Sequence, residues 1–129
     1  MFVNLRRQTR KDIILPAIAI VRHSLQRNPL TKTFTCRINN ITRQGACLSM
    51  TKVMDGNFHI FHSTRENANF ILELEIHVPP DSQRLTLNAI PLWLNLLQNG
   101  QHREFTIGIE FTNVTEEQQI KGLQAILSL

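Results

Sequence analysis

Hydrophobic and polar residues alternate along much of this 129-residue chain, with the period of two that a half-buried β-strand requires. The clearest case is Leu72–Val78, where aliphatic residues alternate with glutamate and histidine. The same period predicts three further strands: Phe34–Ile38, Ala46–Met50 and Phe105–Phe111. Turn signals separate these segments at Asn28-Pro29, Pro79-Pro80-Asp81-Ser82 and Asn99-Gly100. The chain is therefore predicted to be mainly β.

Two predicted strands depart from simple alternation. Residues Ile13–Val21 are apolar on both faces, which predicts a strand covered on both sides, with Pro16 at an edge or a bulge. Residues Leu85–Leu97 form a long apolar strand region in which Pro91 forces a bulge or an edge position. We interpret Trp93 in this region as a core residue, and the alternative is that it lines a ligand cleft.

The only convincing helix of the sequence lies at its end, over residues 115–129. Thr115 and Gln118 form a predicted capping box. Four apolar residues then fall on one stripe at helical spacing: Ile120, Leu123, Ile126 and Leu127. Gly122 lowers the helix propensity, and we expect close packing on the sheet to compensate for it. Between the strands, residues 51–70 offer little beyond a hairpin signal at Asp55-Gly56.

Regular short strands followed by one terminal helix predict the fold class. We expect a small antiparallel β-barrel of about six strands or more, with the C-terminal amphipathic α-helix across one end. The length of 129 residues and the 42% hydrophobic content suit one domain over residues 1–129, with residues 1–12 as a mobile basic arm.

Charge is distributed unevenly along the chain, although the net charge is only +4. Residues 1–43 hold nine Lys or Arg and one acidic residue, whereas residues 44–129 hold five Lys or Arg and nine acidic residues. The positive field of the first part suits an anionic partner. The alternative is a solvated basic surface without function.

Cysteine and histidine usage gives no sign of a disulfide framework or a metal site. Cys36 and Cys47 lie in strand-like segments, which suits small core residues in a reducing cytoplasm. His59 and His62 lack further ligands at suitable spacing and are interpreted as surface or strand histidines. The apolar run Ile13–Val21 follows a basic N-terminus, as in a signal peptide, but it is too short to span a bilayer. We therefore expect a cytoplasmic protein with no membrane insertion and no cofactor.

Two polar stretches flank the strand-like region Ile13–Val21 and the strand after it. The first contains Arg6, Arg7 and Arg10, whose guanidinium groups stay charged. A guanidinium can bind a phosphate through two parallel hydrogen bonds, or read the O6/N7 edge of a guanine.

The second stretch, Asn40-Ile41-Thr42-Arg43-Gln44-Gly45, is predicted to be a turn between two strands. The Asn40 side chain can bond backbone groups of the turn, and Thr42 supplies a hydroxyl. Gly45 allows a positive φ or a close approach of another backbone. Together the two stretches predict a cradle for an anionic ligand that carries guanine.

These residues resemble the PilZ domain. The resemblance rests on R-x-x-x-R at Arg6 and Arg10 followed by [D/N]-x-[S/T]-x-x-G at Asn40, Thr42 and Gly45. It continues in three later segments: Ala46-Cys47-Leu48, Trp93 and Phe105–Phe111. Two features depart from the family pattern, because threonine replaces the usual serine and residues 51–70 are longer than the usual link.

The resemblance implies a bacterial receptor for cyclic di-GMP that acts in second-messenger signalling, such as the control of motility or biofilm formation. It assigns Arg6 and Arg10, assisted by Arg7, to phosphate and guanine edges. Asn40 and Thr42 would bond guanine, and Gly45 would let the backbone approach the ligand. The signal would pass to an effector protein in trans.

Other functional classes fit the sequence less well. A PilZ-fold protein-interaction module without nucleotide binding is the main alternative, although both binding motifs are present. Nonspecific binding to nucleic acid would suit the basic part, but the series of exposed aromatic residues typical of single-strand binders is missing. An enzyme is not expected, since no nucleophile–base pair, metal cluster or pair of carboxylates stands out.

Overall fold

The computed structural model describes residues 11–78 and 83–129. Eight strands run β1 Lys11–His23, β2 Phe34–Ile41, β3 Gly45–Met50, β4 Met54–Asp55, β5 Phe58–His59, β6 Phe70–Val78, β7 Gln83–Asn99 and β8 His102–Thr112. The described residues also form two helices, α1 at His62–Glu66 and α2 at Glu117–Leu127. The turn predicted at residues 79–82 lies outside the described residues.

Six strands close into a barrel in the order β1-β2-β3-β8-β7-β6, and every neighbouring pair is antiparallel. The barrel and the terminal helix confirm the predicted fold class. The alternating aliphatic residues of β6 point inward as predicted, and β8 contributes Ile107, Ile109 and Phe111 to the same core. This inner face leaves the polar residues of the strands on the outer surface.

Strand β1 is not covered on both sides as its sequence suggested. Leu15 and Ala17 are buried in the barrel, but Ile14 on the other face is 71% exposed. The prediction was wrong because β1 pairs with β2 and β6 in one sheet. No element of the described residues forms a second layer over Ile14. Pro16 does occupy an edge position, since the ladder to β6 begins one residue later at Ala17.

Strand β7 contains the predicted bulge, between Pro91 and Trp93. This extra residue reverses the alternation, so Trp93 points outward and is 42% exposed. The expectation of a core tryptophan was therefore wrong. The indole lies over Gly108, where an added β-carbon would be 2.7 Å from Trp93 Cζ2. Glycine at this position gives the ring room to lie on the outer surface of the sheet.

Residues 51–69 form a small subdomain beside the barrel. The predicted hairpin is present as β4 and β5, and Gly56 has the positive φ of 59° that its turn needs. Helix α1 follows and was not predicted, because its five residues show no helical periodicity. Arg65 of α1 donates hydrogen bonds of 3.1 Å to the carbonyl oxygens of Pro91 and Leu92 in β7.

Helix α2 begins one residue later than its sequence suggested. Glu116 and Gln119 form the capping box, in place of Thr115 and Gln118. The helix begins later because a turn precedes it. Asn113 has a φ of 56°, and its carbonyl accepts a hydrogen bond from the Thr115 N–H. Gly122 packs on the sheet as expected, because an added β-carbon would be 2.8 Å from Leu85 Cδ1. Neither α1 nor α2 is long and apolar enough to cross a membrane.

Candidate functional site at the β2–β3 turn

The turn between β2 and β3 is held by Thr42. Its backbone N–H donates to the Gly45 carbonyl at 2.8 Å. Its Oγ1 accepts from the backbone N–H of Gln44 at 3.0 Å and of Gly45 at 3.2 Å. The sequence assigned this backbone-bonding role to Asn40, and that assignment was wrong. The Thr42 hydroxyl closes the turn by bonding the N–H of Gln44, two residues later. Asn40 still belongs to β2.

The Thr42 hydroxyl keeps a hydrogen for another partner. Its distance to the Gly45 carbonyl oxygen is 3.5 Å. That separation is well beyond the usual O–H···O distance of about 2.7–2.8 Å. The hydroxyl therefore accepts from the turn and can donate outward.

Gly45 is required by the sheet. It pairs with Glu110 of β8, and an added β-carbon would collide with the Ile109 carbonyl oxygen and lie 3.3 Å from the Glu110 Cα. Among the described glycines, positive φ values occur at Gly56 and Gly100 instead. Of the two reasons offered for this glycine, the close approach of a backbone is the one observed, and the approaching backbone is that of β8.

A β-bulge near the end of β2 turns two consecutive amides outward. Ile38 pairs with Leu48 and Asn40 with Cys47, so Asn39 is the extra residue. The Asn39 amide is already engaged, because it donates to Ser49 Oγ and accepts from Arg37 Nε at 3.3 Å. The Asn40 side chain is half-buried and has no hydrogen bond to a described residue. Its donor and acceptor are thus available to a ligand.

Asn40 lies in a row of paired residues that crosses five strands. From β7 to β1 the row consists of Trp93, Gly108, Cys47, Asn40 and Asp12. Trp93 and Asp12 at its ends are exposed, and Asn40 and Cys47 between them are half-buried. The row therefore offers an aromatic ring and an amide along one line of the outer face, while Gly108 is buried beneath the indole.

The two cysteines differ, although both were expected in the core. Cys36 is buried, and burial raises the pKa of its thiol to about 12. Cys47 lies on the outer side of β3 and is only half-buried, so the core assignment was wrong for it. Burial also raises the pKa of Cys47, while a hydrogen bond from Asn39 acts in the opposite direction.

Arg6, Arg7 and Arg10 lie outside the described residues, but the register of β1 shows where the chain that carries them joins the barrel. Lys11 pairs with Ile41, and Asp12 pairs with Asn40. The first described residues thus run beside the last residues of β2, directly before the Thr42 turn. On that turn Arg43 is exposed.

The histidines form no metal site with other described residues. Within residues 11–78 and 83–129, no group of three or more histidine, cysteine or carboxylate side chains could hold an ion. His59 Nδ1 instead accepts from the backbone N–H of Phe61 at 3.0 Å and of His62 at 3.1 Å. Burial, and then the neighbouring His62, lower the pKa of His59.

Similarity to solved structures identifies the fold. The Bacillus subtilis inhibitor of motility, MotI/DgrA, superposes with a TM-score of 0.59 at 14% identity over 95% of this chain. The PilZ domain of Escherichia coli YcgR, solved with c-di-GMP, gives a TM-score of 0.58 at 14% identity over 95% of this chain. This chain covers 49% of the Bacillus protein and 88% of the YcgR domain. No protein-family profile matches the sequence, and the search of curated proteins finds no significant match.

These likenesses show that the chain has a PilZ-like fold, as the resemblance of its motifs predicted. The structure places Asn40 near the end of β2, Thr42 on the turn and Gly45 at the start of β3. It adds Asn39 and Cys47 to the same surface, neither of which was a candidate from sequence.

Proposed function

We propose that this PilZ-like domain is a receptor for cyclic di-GMP, which it binds at the junction of the N-terminal arm and the β2–β3 turn. The residues assigned to the site are Arg6, Arg7, Arg10, Asn40, Thr42 and Gly45. The observation that carries the proposal is the pairing of Asp12 with Asn40, because it ties the arginine arm to the turn.

Covalent geometry limits how far the arginines can be from the turn. An extended chain spans at most about 3.6 Å per residue, so the Arg10 Cα lies within about 7 Å of the Asp12 Cα. By the same limit the Arg6 Cα lies within about 22 Å of it. A long arginine side chain therefore has the reach to share one ligand with Asn40.

The available groups match the chemistry of a cyclic dinucleotide with two phosphates and two guanines. The guanidinium groups bind phosphate oxygens or the O6/N7 edge of guanine through paired hydrogen bonds. The Asn40 amide can both donate to and accept from a guanine, and the Thr42 hydroxyl donates. Gly45 acts by keeping the turn against β8, since a side chain there would displace it from the Ile109 backbone.

Trp93 extends the proposed site along the outer face. Three strand spacings of about 4.8 Å separate Trp93 from Asn40 along their row. The indole lies on Gly108 with part of its surface exposed, so a purine can stack on it. Stacking of a base on an aromatic side chain contributes about 1–3 kcal/mol.

Signalling would follow from the order that the ligand imposes on the arm. A dinucleotide that contacts both the arm and the turn fixes the arm against the barrel and changes the surface there. The YcgR domain was solved with the same dinucleotide, and MotI/DgrA is an inhibitor of motility, which supports a regulatory role through a protein effector.

Fluorescence of Trp93 provides a direct test, since the chain contains one tryptophan. Titration with cyclic di-GMP should give a saturable change in Trp93 emission, and GTP at the same concentration should give none. The Trp93→Phe variant, followed by calorimetry, separates binding from the optical signal. If neither emission nor heat responds to cyclic di-GMP, the domain is a protein-interaction module that shares only the fold.

A further inference from the structure

The outer edge of β7 is unpaired over its second half. The ladder that joins β7 to β6 ends where Ala89 pairs with Leu72, although β7 continues to Asn99. On this edge Arg65 covers the carbonyl oxygens of Pro91 and Leu92. From Trp93 onward, no strand of the described residues pairs with it. The seven residues Trp93–Asn99 thus expose a backbone edge of about 24 Å.

The exposed edge is unusually apolar. Leu96 is 45% exposed on one face of β7, and Leu97 is 59% exposed on the other. Natural proteins commonly protect such edges with charged side chains, proline or a bulge. Here the bulge and Pro91 precede the free segment, and residues 92–99 contain neither proline nor a charged residue. A segment of this kind is a template for pairing with another strand.

We infer that this edge joins a second copy of the same chain, forming a two-fold symmetric dimer through antiparallel pairing of β7 with β7. In a two-fold symmetric antiparallel pair, residues near the axis lie close to the same residues of the second copy. A charged edge would therefore repel itself. No charged residue occurs from Leu85 to Gln101, so this repulsion does not arise. The lack of charge therefore favours a second copy over a partner selected by complementary charge.

The sequence of the edge also selects a register. In a two-fold antiparallel pair, the residue at the axis lies opposite the same residue of the second copy. Residues that lie opposite each other point to the same face of the sheet. With the axis at Asn95, Trp93 lies opposite Leu97 of the second copy, and Leu94 lies opposite Leu96. Apolar residues then meet on both faces, and the two Asn95 amides can hydrogen-bond each other.

The dimer can be tested by sedimentation of the full chain across a range of concentrations without nucleotide. The wild type should move from 14.9 kDa towards twice that mass as its concentration rises. Asn95→Lys places two ammonium groups opposite each other and should abolish the dimer, as should Asn95→Glu by itself. An equal mixture of these two variants should restore the doubled mass. Leu25→Lys, on a loop residue that is 82% exposed, is the control and should dimerise like the wild type.

Asn95 is exposed, so a thermal midpoint equal to that of the wild type, measured at a concentration at which the wild type is monomeric, will show that both variants keep the fold. A wild type that stays at 14.9 kDa at every concentration would overturn the inference. So would dimerisation of Asn95→Lys at the wild-type concentration, or a mixture that stays monomeric. The assay contains no nucleotide, so its outcome is independent of whether cyclic di-GMP binds.

Discussion

Asp12 lies opposite Asn40 in the ladder that joins β1 to β2. The two residues are 28 positions apart in the sequence, and their pairing places Lys11 and Asp12, which follow Arg10 in the chain, beside the last residues of β2. In the site that we propose, the arginine motif supplies charge and the turn supplies short polar groups. The register of this strand pair is the observation from which we infer that the two motifs act together.

Arginine substitutions in the arm should separate binding from folding. Arg6→Ala and Arg10→Ala each remove a charge-assisted contact and should weaken cyclic di-GMP binding by about 1.5–3 kcal/mol. The unfolding free energy should change by no more than about 0.5 kcal/mol, as expected for substitutions outside a core. Calorimetric titration and urea unfolding measure the two quantities. Arg103→Ala is the matched control, and binding by both arm variants at the wild-type affinity would remove the arm from the site.

Asn40→Ala should weaken binding with little effect on stability. The Asn40 amide has no hydrogen bond to a described residue, so its removal leaves no protein group unpaired there. The loss of one neutral hydrogen bond to the ligand corresponds to about 0.5–1.5 kcal/mol of binding free energy. Asn57→Ala, at an exposed amide in the β4–β5 turn, controls for the loss of a surface asparagine. Equal affinity of the Asn40 and Asn57 variants would argue against contact between Asn40 and the nucleotide.

Thr42 should affect both stability and binding. Thr42→Ala removes the acceptor of two backbone N–H groups, which should lower the unfolding free energy by about 0.5–1.5 kcal/mol. Binding should fall as well, because the turn loses its shape and the hydroxyl donor. Thr42→Ser keeps the hydroxyl and should retain both properties in denaturant melts and titrations. A serine variant as impaired as the alanine variant would contradict the role given to the hydroxyl.

Gly45→Ala should act through the sheet. Its β-carbon meets the backbone of β8, and overpacking of this kind costs about 1–3 kcal/mol of unfolding free energy. Hydrogen exchange should show weaker protection of the Phe111 amide, which donates to the Gln44 carbonyl at 2.7 Å. Gly56→Ala strains the β4–β5 turn through its positive φ of 59°, but the added carbon meets no neighbouring atom, so the Phe111 amide should stay protected. Wild-type protection in the Gly45 variant would show that the barrel accommodates the added carbon.

The alternation of apolar residues was sufficient to predict four of the six barrel strands, β2, β3, β6 and β8, because each has one face in a common core. Local rules failed where a bulge changes the face of later residues, as it does for Trp93 after Pro91. The β2 bulge did leave a signal, since the inward residues Ile38 and Ile41 are three positions apart instead of two. A step of three in a strand of period two predicts an inserted residue, and that residue is Asn39.

The residue types alone could not predict which side chain bonds the backbone of the turn. Asn40 and Thr42 both have side chains that commonly bond the backbone in turns. Which of them does so depends on where β2 ends, and pairing with β1 and β3 extends that strand through Ile41. Similarly, a glycine at position 45 can be explained by a positive φ or by the close approach of another backbone, and only the position of β8 decides between the two explanations.

The most direct test of the proposed receptor is a calorimetric comparison of cyclic di-GMP with GTP, cyclic di-AMP and a short oligonucleotide on the wild-type chain. Cyclic di-GMP should bind far more tightly than the other three, because the arginines and the Asn40–Thr42 turn together select guanine and phosphodiester. Added salt should weaken its binding, since the contacts to phosphate are ionic. Equal affinity for all four ligands would contradict the proposal and reduce the basic arm to a general anion-binding surface.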